Sequence, residues 1–140
     1  MRTSTVEARE GTLDPAREPT MNNVELVGYI GSAPELRYTQ DEVPFVRFSL
    51  ATHRWRELDG AMQQLTDWHA AVGYGKKLCE RGARLRIGEL VLVAGWLHTW
   101  SRTDRTGGRR QQTEVVATRI ERATIRHRQS ALPLSVATPA

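Results

Sequence analysis

The stretch ELVLVAGWLHTWSR, residues 89–102, alternates between two kinds of side chain. One parity is apolar and predicts a core face, formed by Val91, Val93, Gly95 and Leu97. The other parity carries Trp96, His98, Trp100 and Arg102. Because successive side chains of a β-strand point to opposite faces, the stretch predicts a long strand with one face in a core. The aromatic and cationic side chains on its second face are candidates for binding a ligand.

Four more strand-like runs, bounded by turn residues, accompany this strand. They cover residues 24–30, 43–54, 65–74 and 111–126, and a Gly-rich hairpin tip at 103–110 precedes the last of them. In the second run, Val46, Phe48 and Leu50 recur at period two and predict its core face. A short helix is expected over residues 75–82, closed by Gly82. Five strands with one short helix between the third and fourth are the element order of the OB-fold, a mainly all-β, five-stranded Greek-key barrel.

The two ends of the chain differ from its middle. Residues 1–20 are polar, charged and interrupted by Pro15 and Pro19, which predicts a disordered N-terminal arm. Residues 21–127 are predicted to form the OB-fold domain, and residues 128–140 a short flexible tail without a packed element. Met1 and Met21 are both candidates for the first residue of the protein.

The composition excludes several classes of protein. The 140 residues carry a net charge of +4, which mildly favours a phosphate-bearing partner. Cys79 is the single cysteine, so no internal disulfide and no zinc site are expected, and no metal or cofactor is predicted. The chain has neither an apolar run of membrane-spanning length nor a secretion signal. No membrane association and a cytoplasmic, nucleoid-associated location in a bacterial cell are expected.

Aromatic side chains are placed where a single nucleic-acid strand can use them. Trp68 and Tyr74 share a parity on the third strand. Trp55 lies between Arg54 and Arg56, in a predicted polar loop after the second strand. Sequence-independent recognition of single strands requires flat rings on which bases stack, interleaved with cations that follow the phosphates. This set of residues favours that kind of binding.

The fourth strand and its hairpin tip add a second group. Trp100 lies close to a tip that carries Arg105, Arg109 and Arg110. Trp96 fits a subunit interface as well as it fits a ligand-binding face. The tip by itself is also compatible with an ordinary solvated hairpin.

Six short motifs occur in a characteristic order. They are NNVELVG at 22–28 followed by Gly31, PELRY at 34–38, FSLAT at 48–52, TDWH at 66–69, YGK at 74–76 and TEVV at 113–116. Over roughly residues 22–120 the sequence therefore resembles the bacterial single-stranded DNA-binding proteins. The resemblance implies an OB-fold that assembles as a homotetramer, or dimer of dimers, and binds single-stranded DNA in replication, recombination and repair.

The resemblance also implies roles for individual residues. It assigns base stacking to Trp55, Trp68 and Tyr74, and a subunit contact to His69. With the residues proposed above, the complete predicted DNA-binding set is Trp55, Trp68, Tyr74, Trp100, Arg102, Arg37, Arg54, Arg56, Lys76, Arg109 and Arg110. The family's fourth-strand tryptophan falls on Arg102, and Trp100, two residues earlier on the same face, is a candidate replacement.

The C-terminal segment departs from the family pattern. Family members typically end in a long tail with an acidic, Phe-terminated tip that recruits replication and repair proteins, whereas this sequence has no acidic residue after Glu121. Partners that depend on an acidic tip are therefore not expected, as in an accessory or tail-less paralogue.

Three other functions are open to such a chain. An enzyme would have to draw on Asp59, Asp67, His53, His69 and His98, which form no catalytic motif. A primosome-accessory or protein-interaction OB module with weak nucleic-acid binding is the main alternative, but it does not require a tryptophan between two arginines. Sequence-specific duplex binding is disfavoured because no recognition helix is predicted.

Overall fold

The computed structural model describes residues 20–125 and residues 134–136. Its elements in chain order are β1 (Val24–Ile30), β2 (Glu35–Tyr38), β3 (Pro44–Leu58), β4 (Ala61–Tyr74), α1 (Lys76–Ala83), β5 (Leu90–Thr103), β6 (Arg109–Ile125) and β7 (Leu134–Val136). The arm expected over residues 1–20 lies, apart from Thr20, outside the described residues, as does most of the expected tail. No helix in the described part of the chain is long and apolar enough to cross a membrane.

Five of the strands close into a barrel. β1 pairs with β5 and, through its last two residues, with β3. β5 pairs with β6, β6 runs parallel to β4, and β4 pairs with β3. Helix α1 lies between the third and fourth strands of this ring, β4 and β5. The predicted five-stranded OB-fold is confirmed.

Two local features join β1 to its neighbouring strands. Gly28 is buried where β1 meets β3, and a Cβ atom there would collide with the carbonyl oxygen of Ala51, so only glycine allows the close approach. Before β1 begins, the side-chain amide of Asn22 donates to the Leu97 carbonyl at 2.7 Å and accepts from the Leu97 N–H at 2.8 Å. Asn22 thus lies opposite Leu97, two residues beyond the pair of Val24 with Gly95, and its side chain makes the hydrogen bonds that a strand backbone would make there.

The barrel core agrees with the predicted core faces except at one position. Val46, Phe48 and Leu50 are buried, as are Val91 and Val93. Leu97 was expected in the core but is 44% exposed, so that expectation is wrong. β1 begins only at Val24, opposite Gly95, so at the level of Leu97 the β5 backbone is bonded by the Asn22 side chain and not by a strand.

Three features differ from the predicted elements. β3 continues to Leu58 and turns into β4 at Asp59 and Gly60, both at positive φ, so Trp55 lies in a strand and not in the predicted loop. β2 was not predicted; all of its residues are exposed, which leaves no alternating pattern to detect. Strand β7, which pairs antiparallel with β6, lies in the segment expected to have no packed element.

Candidate nucleic-acid interface

The outward-facing side chains of β3, β4, β6 and β5 form one surface, called here the outer face. The alternate residues of these strands, among them Phe48, Ala71 and Val115, belong to the core. One row of the outer face runs through Arg47, Val72, Val116 and Trp96, each the partner of the next across a strand boundary. β2 extends the face sideways, because Arg37 lies opposite Phe45.

Three predicted stacking residues lie on this outer face. Trp68 is 64% exposed and Trp55 63% exposed, and Tyr74 is 44% exposed at the end of β4. Trp55 is opposite Gln64, four residues along β4 from Trp68, which corresponds to about 13 Å at the strand rise of about 3.3 Å per residue. Tyr74 lies on the other side of Trp68, beside Phe45 at a ring-centroid distance of 5.8 Å. The β3–β4 hairpin therefore presents a line of separated aromatic rings.

The ring of Trp68 lies against the chain that follows β1. A Cβ atom at Gly31 would collide with the Cζ3 carbon of this ring and would lie 3.1 Å from Ser49 Oγ. Ser32 Oγ accepts from the Ser49 N–H at 2.9 Å and holds this segment to β3. Beside the ring is a groove of about 410 Å3 whose lining includes Ser32, Ser49 and His69. Trp68 thus combines an exposed ring with a polar groove next to it.

A second aromatic group projects from β5. The rings of His98 and Trp100 are stacked at a centroid distance of 5.1 Å with an interplanar angle of 25°. Trp100 lies opposite Gln112, and Arg102 lies opposite Arg110. Trp96 is on the same face and is 43% exposed. Trp100 and Arg102 therefore share the outer face with Trp68, as the alternation in the sequence predicted.

A buried carboxylate lies at the centre of the outer face. Glu114 is 5% exposed and accepts from Arg47 Nη2 at 2.9 Å, while His98 Nδ1 is 3.7 Å from its second oxygen. Arg47 comes from β3 and Glu114 from β6, so the ion pair crosses β4 above the fully buried Val72. Sequence reasoning did not assign Arg47 or Glu114 to the site. The sequence feature that could have identified them is that each is a charged residue within an otherwise apolar part of a barrel strand.

The predicted cations fall into two groups. Three are engaged in ion pairs: Arg37 with Glu35 at 3.0 Å, Arg54 with Asp67 at 2.9 Å, and Arg110 with Asp104 at 3.2 Å. Within the described residues, four make no ion pair: Arg56, Lys76, Arg102 and Arg109. Arg54 and Arg56 also project from the face of the hairpin opposite to Trp55, because neighbours in a strand alternate. The three adjacent residues do not form one cluster.

Asp104 organises the tip between β5 and β6. Its Oδ1 accepts from the Thr106 N–H at 3.0 Å, the Thr106 hydroxyl at 2.7 Å and the Gly108 N–H at 2.8 Å. The Thr106 hydroxyl and then the Gly108 N–H are the main causes that lower the pKa of the Asp104 carboxyl below its ordinary value. Gly107 completes the turn at a φ of 82°. The tip that carries Arg109 and Arg110 is thus held in one shape.

His69, the predicted subunit contact, is half-buried on the inward side of β4. Its Nε2 forms a hydrogen bond with the Thr52 hydroxyl at 2.8 Å. The role of His69 in a subunit contact stays a prediction.

Cys79 is buried in α1, and this burial raises the pKa of its thiol. Over residues 20–125, no group of three His, Cys, Asp or Glu side chains comes together in a way that could hold a metal ion.

Comparison with known families gives a match over most of the chain. The model of the single-strand binding protein family matches residues 21–123. Single-stranded DNA-binding protein 1 of Xylella fastidiosa is 34% identical over 104 residues, 73% of this chain and 76% of that protein. The single-stranded DNA-binding protein of Xanthomonas axonopodis pv. citri is 37% identical over 102 residues, 72% of this chain and 57% of that protein. The matched segment thus spans little more than half of the Xanthomonas protein.

Comparison with solved structures gives a similar fold. The Plasmodium falciparum SSB, solved in complex with single-stranded DNA, aligns with a TM-score of 0.65 and 27% sequence identity. The alignment covers 72% of this chain and 89% of that one. The family resemblance seen in the sequence motifs is confirmed.

Proposed function

Because this chain belongs to the single-strand binding protein family, we propose that it binds and protects single-stranded DNA without sequence preference during replication, recombination or repair. The observation that carries the proposal is the line of exposed rings of Trp55, Trp68 and Tyr74 on one face of the β3–β4 hairpin. In an OB-fold, the face of the second and third barrel strands and the adjoining loops bind oligonucleotides. Here these strands are β3 and β4.

The physical basis of binding is stacking combined with phosphate contacts. Every base has a flat face, so stacking on an exposed ring is tolerant of sequence, and each ring contributes about 1–3 kcal/mol per base. Of the four predicted cations without an ion pair, Arg102 on the outer face and Lys76 beyond Tyr74 are available to phosphates, whereas Arg56 and Arg109 project from the opposite side of their strands. Arg47 is less available, because its guanidinium is bound to Glu114. Salt should therefore weaken binding without abolishing it.

We propose that the chain also self-associates, as a homotetramer. The edge of β1 from Val24 to Val27 that faces away from β5 pairs with no strand in the described part of the chain. Trp96 and Leu97, on β5, are both more than two-fifths exposed. Unpaired strand edges and exposed apolar side chains are common features of subunit interfaces. Light scattering coupled to size-exclusion chromatography measures the mass in solution, and a monomeric mass at all concentrations would contradict this proposal.

A protein-interaction module is the second candidate, and one observation favours it. β2 is an edge strand, and it exposes Leu36 and Tyr38 on the side away from the outer face. Such an edge can accept an extended peptide as an additional strand. No chemical step is proposed in either case, and no group of side chains is assigned a catalytic role.

The test compares variants in binding to a labelled oligothymidine, measured by fluorescence anisotropy. Trp68→Ala and Trp55→Ala should each weaken binding by about 1–3 kcal/mol, roughly 5- to 150-fold, whereas Trp68→Phe should retain most of the affinity. The matched control is Tyr38→Ala, which removes an equally exposed ring from β2 and not from the outer face. Equal losses for Tyr38→Ala and Trp68→Ala, or unchanged binding in both tryptophan variants, would overturn the proposed role of the outer face.

A further inference from the structure

Much of the net positive charge of the chain is concentrated in one short segment. Residues 76–89 contain five cations, Lys76, Lys77, Arg81, Arg84 and Arg86, against two carboxylates, Glu80 and Glu89. The excess of three accounts for most of the net charge of +4 carried by the whole chain. Apart from Lys76, none of these cations belongs to the DNA-binding set predicted from the sequence. The segment comprises α1 and its connection to β5.

Two grooves lie along the line where this segment meets β6, called here the α1–β6 seam. The first has a volume of about 810 Å3 and is lined by Tyr74, Lys76, Lys77, Arg81 and Arg119 among others. The second has a volume of about 710 Å3 and is lined by Ala83, Arg84, Leu85, Arg86, Glu89 and Arg122. Both grooves are open to solvent, and α1 leads from one to the other.

The one carboxylate that lines the second groove, Glu89, already has partners within the protein. Glu89 Oε2 accepts from Arg122 Nε at 2.9 Å, and Glu89 Oε1 accepts from the backbone N–H of Arg86 at 2.9 Å. The guanidinium groups of Arg84 and Arg86 form no ion pair with any described residue, and both residues are exposed. Two positive charges therefore face solvent in this groove without compensation.

The first groove has the same organisation. Arg119 binds Glu121 through two hydrogen bonds of 2.7 and 2.9 Å, and this contact lowers the pKa of the Glu121 carboxyl. Lys76 and Lys77 have no ion-pair partner among the described residues. The seam thus has uncompensated cations at both of its ends.

The seam continues directly from the outer face. β4 ends at Tyr74, which belongs to the line of stacking rings, and Tyr74 also lines the first groove. α1 begins two residues later with Lys76. A strand that stacks on Trp68 and Tyr74 and continues in the same direction therefore reaches Lys76 and then the cations of the seam.

We propose that the α1–β6 seam is a second binding track for the same single strand, in which Arg84 and Arg86 bind phosphates beyond the last stacked base. Apart from Tyr74, no described aromatic side chain lines either groove, so this track contacts the phosphate backbone and not the bases. The inference rests on the proposed function, because it extends the path of the strand that the outer face binds. It predicts that Arg84 and Arg86 matter only for strands long enough to reach them.

The test measures the salt dependence of binding for two oligothymidines, one of about 6 and one of about 16 nucleotides, which span the site sizes typical of one OB-fold. The double variant Arg84→Gln/Arg86→Gln removes both charges at exposed positions without an ion-pair partner. For the longer strand, the slope of log K against log salt should become shallower by about 1.4, or about 0.7 for each phosphate that the protein no longer neutralises. Binding of the shorter strand should be unchanged.

The matched control is Arg84→Lys/Arg86→Lys, which keeps both charges and should keep the wild-type slope. An unchanged slope for the longer strand in the glutamine variant would overturn the inference and leave the proposed function intact. An equal loss of affinity for the shorter and the longer strand would also overturn it, because the two arginines would then act on the outer face itself. If the wild-type protein bound neither strand, the proposed function would fail, and the seam inference with it.

Discussion

Arg47 of β3 donates to Glu114 of β6 at 2.9 Å across the intervening strand β4. The pair lies over Val72, which is fully buried although it points outward. One interaction thus holds three strands of the outer face together and compensates the charge of the carboxylate at its centre. His98, 3.7 Å from the same carboxylate, links this pair to the ring of Trp100.

The two partners of this pair should differ in their contribution to stability. Arg47→Ala leaves a buried carboxylate without its partner, and breaking a buried pair in this way costs about 3–5 kcal/mol. Because the Arg47 side chain is 51% exposed and water can reach it, we expect about 2 kcal/mol of lost stability. Glu114→Gln leaves a guanidinium that can turn to solvent and should cost less than about 1 kcal/mol. Urea denaturation measures the free energy of unfolding of both variants. Equal losses of stability in the two variants would contradict the expected difference.

Gly31→Ala should impair DNA binding through Trp68. The added methyl group collides with the Trp68 ring, so the ring must leave its position beside the groove. We expect a loss of affinity for oligothymidine approaching that of Trp68→Ala, about 1–3 kcal/mol. The control is the double variant: once Trp68 is alanine, Gly31→Ala should have no further effect on affinity. Additive losses in the double variant would show that Gly31 acts by another route.

Asn22 should stabilise the closure between β1 and β5. Asn22→Ala removes two hydrogen bonds to Leu97, each contributing about 0.5–1.5 kcal/mol, so we expect stability to fall by about 1–3 kcal/mol. Asn22→Asp keeps the acceptor for the Leu97 N–H but places a carboxylate oxygen where the donor to the Leu97 carbonyl was, and should not recover the lost stability. Amide hydrogen exchange at Leu97 should accelerate in Asn22→Ala. Unchanged protection of that amide would rule out this role for Asn22.

The tip of the β5–β6 hairpin should lose its fixed shape in acid. The hydrogen bonds to Asp104 lower its pKa below the ordinary 3.8, so the folded tip favours the ionised carboxylate. This stabilisation is fully present above the ordinary pKa and is lost as the pH falls through the lowered value in the folded protein. NMR titration should show the amide signals of Thr106 and Gly108 shifting with a midpoint below 3.8. Asp104→Asn should abolish that transition, and a midpoint at or above 3.8 would contradict the account.

Strand parity explains why much of the outer face was predictable. In β3 and β5, buried residues on one parity identify the other parity as outward, so Trp100 and Arg102 could be placed on one face without coordinates. The same reasoning placed Trp68 together with Tyr74. It failed for Leu97 because parity states which way a side chain points but not whether another element covers it.

Other features depend on contacts between segments that are distant in sequence. The pairing of Arg54 with Asp67 follows from the register of β3 on β4, which the sequence does not specify. The extension of β3 beyond Arg54 had no apolar alternation to indicate it, because both faces of that part of the hairpin are exposed. The ion pair of Arg47 with Glu114 likewise requires the parallel pairing of β4 with β6, which places Glu114 on the far side of β4.

The central claim is that bases stack on the exposed tryptophans of the outer face. The most direct measurement is a titration of intrinsic tryptophan fluorescence with an unstructured oligothymidine, beside a duplex control, at low and moderate salt. The account predicts strong, saturable quenching by the single strand that persists at moderate salt, little response to duplex, and loss of most of the quenching in the Trp55→Phe/Trp68→Phe variant. Absence of both quenching and binding, or equal quenching by duplex, would contradict it.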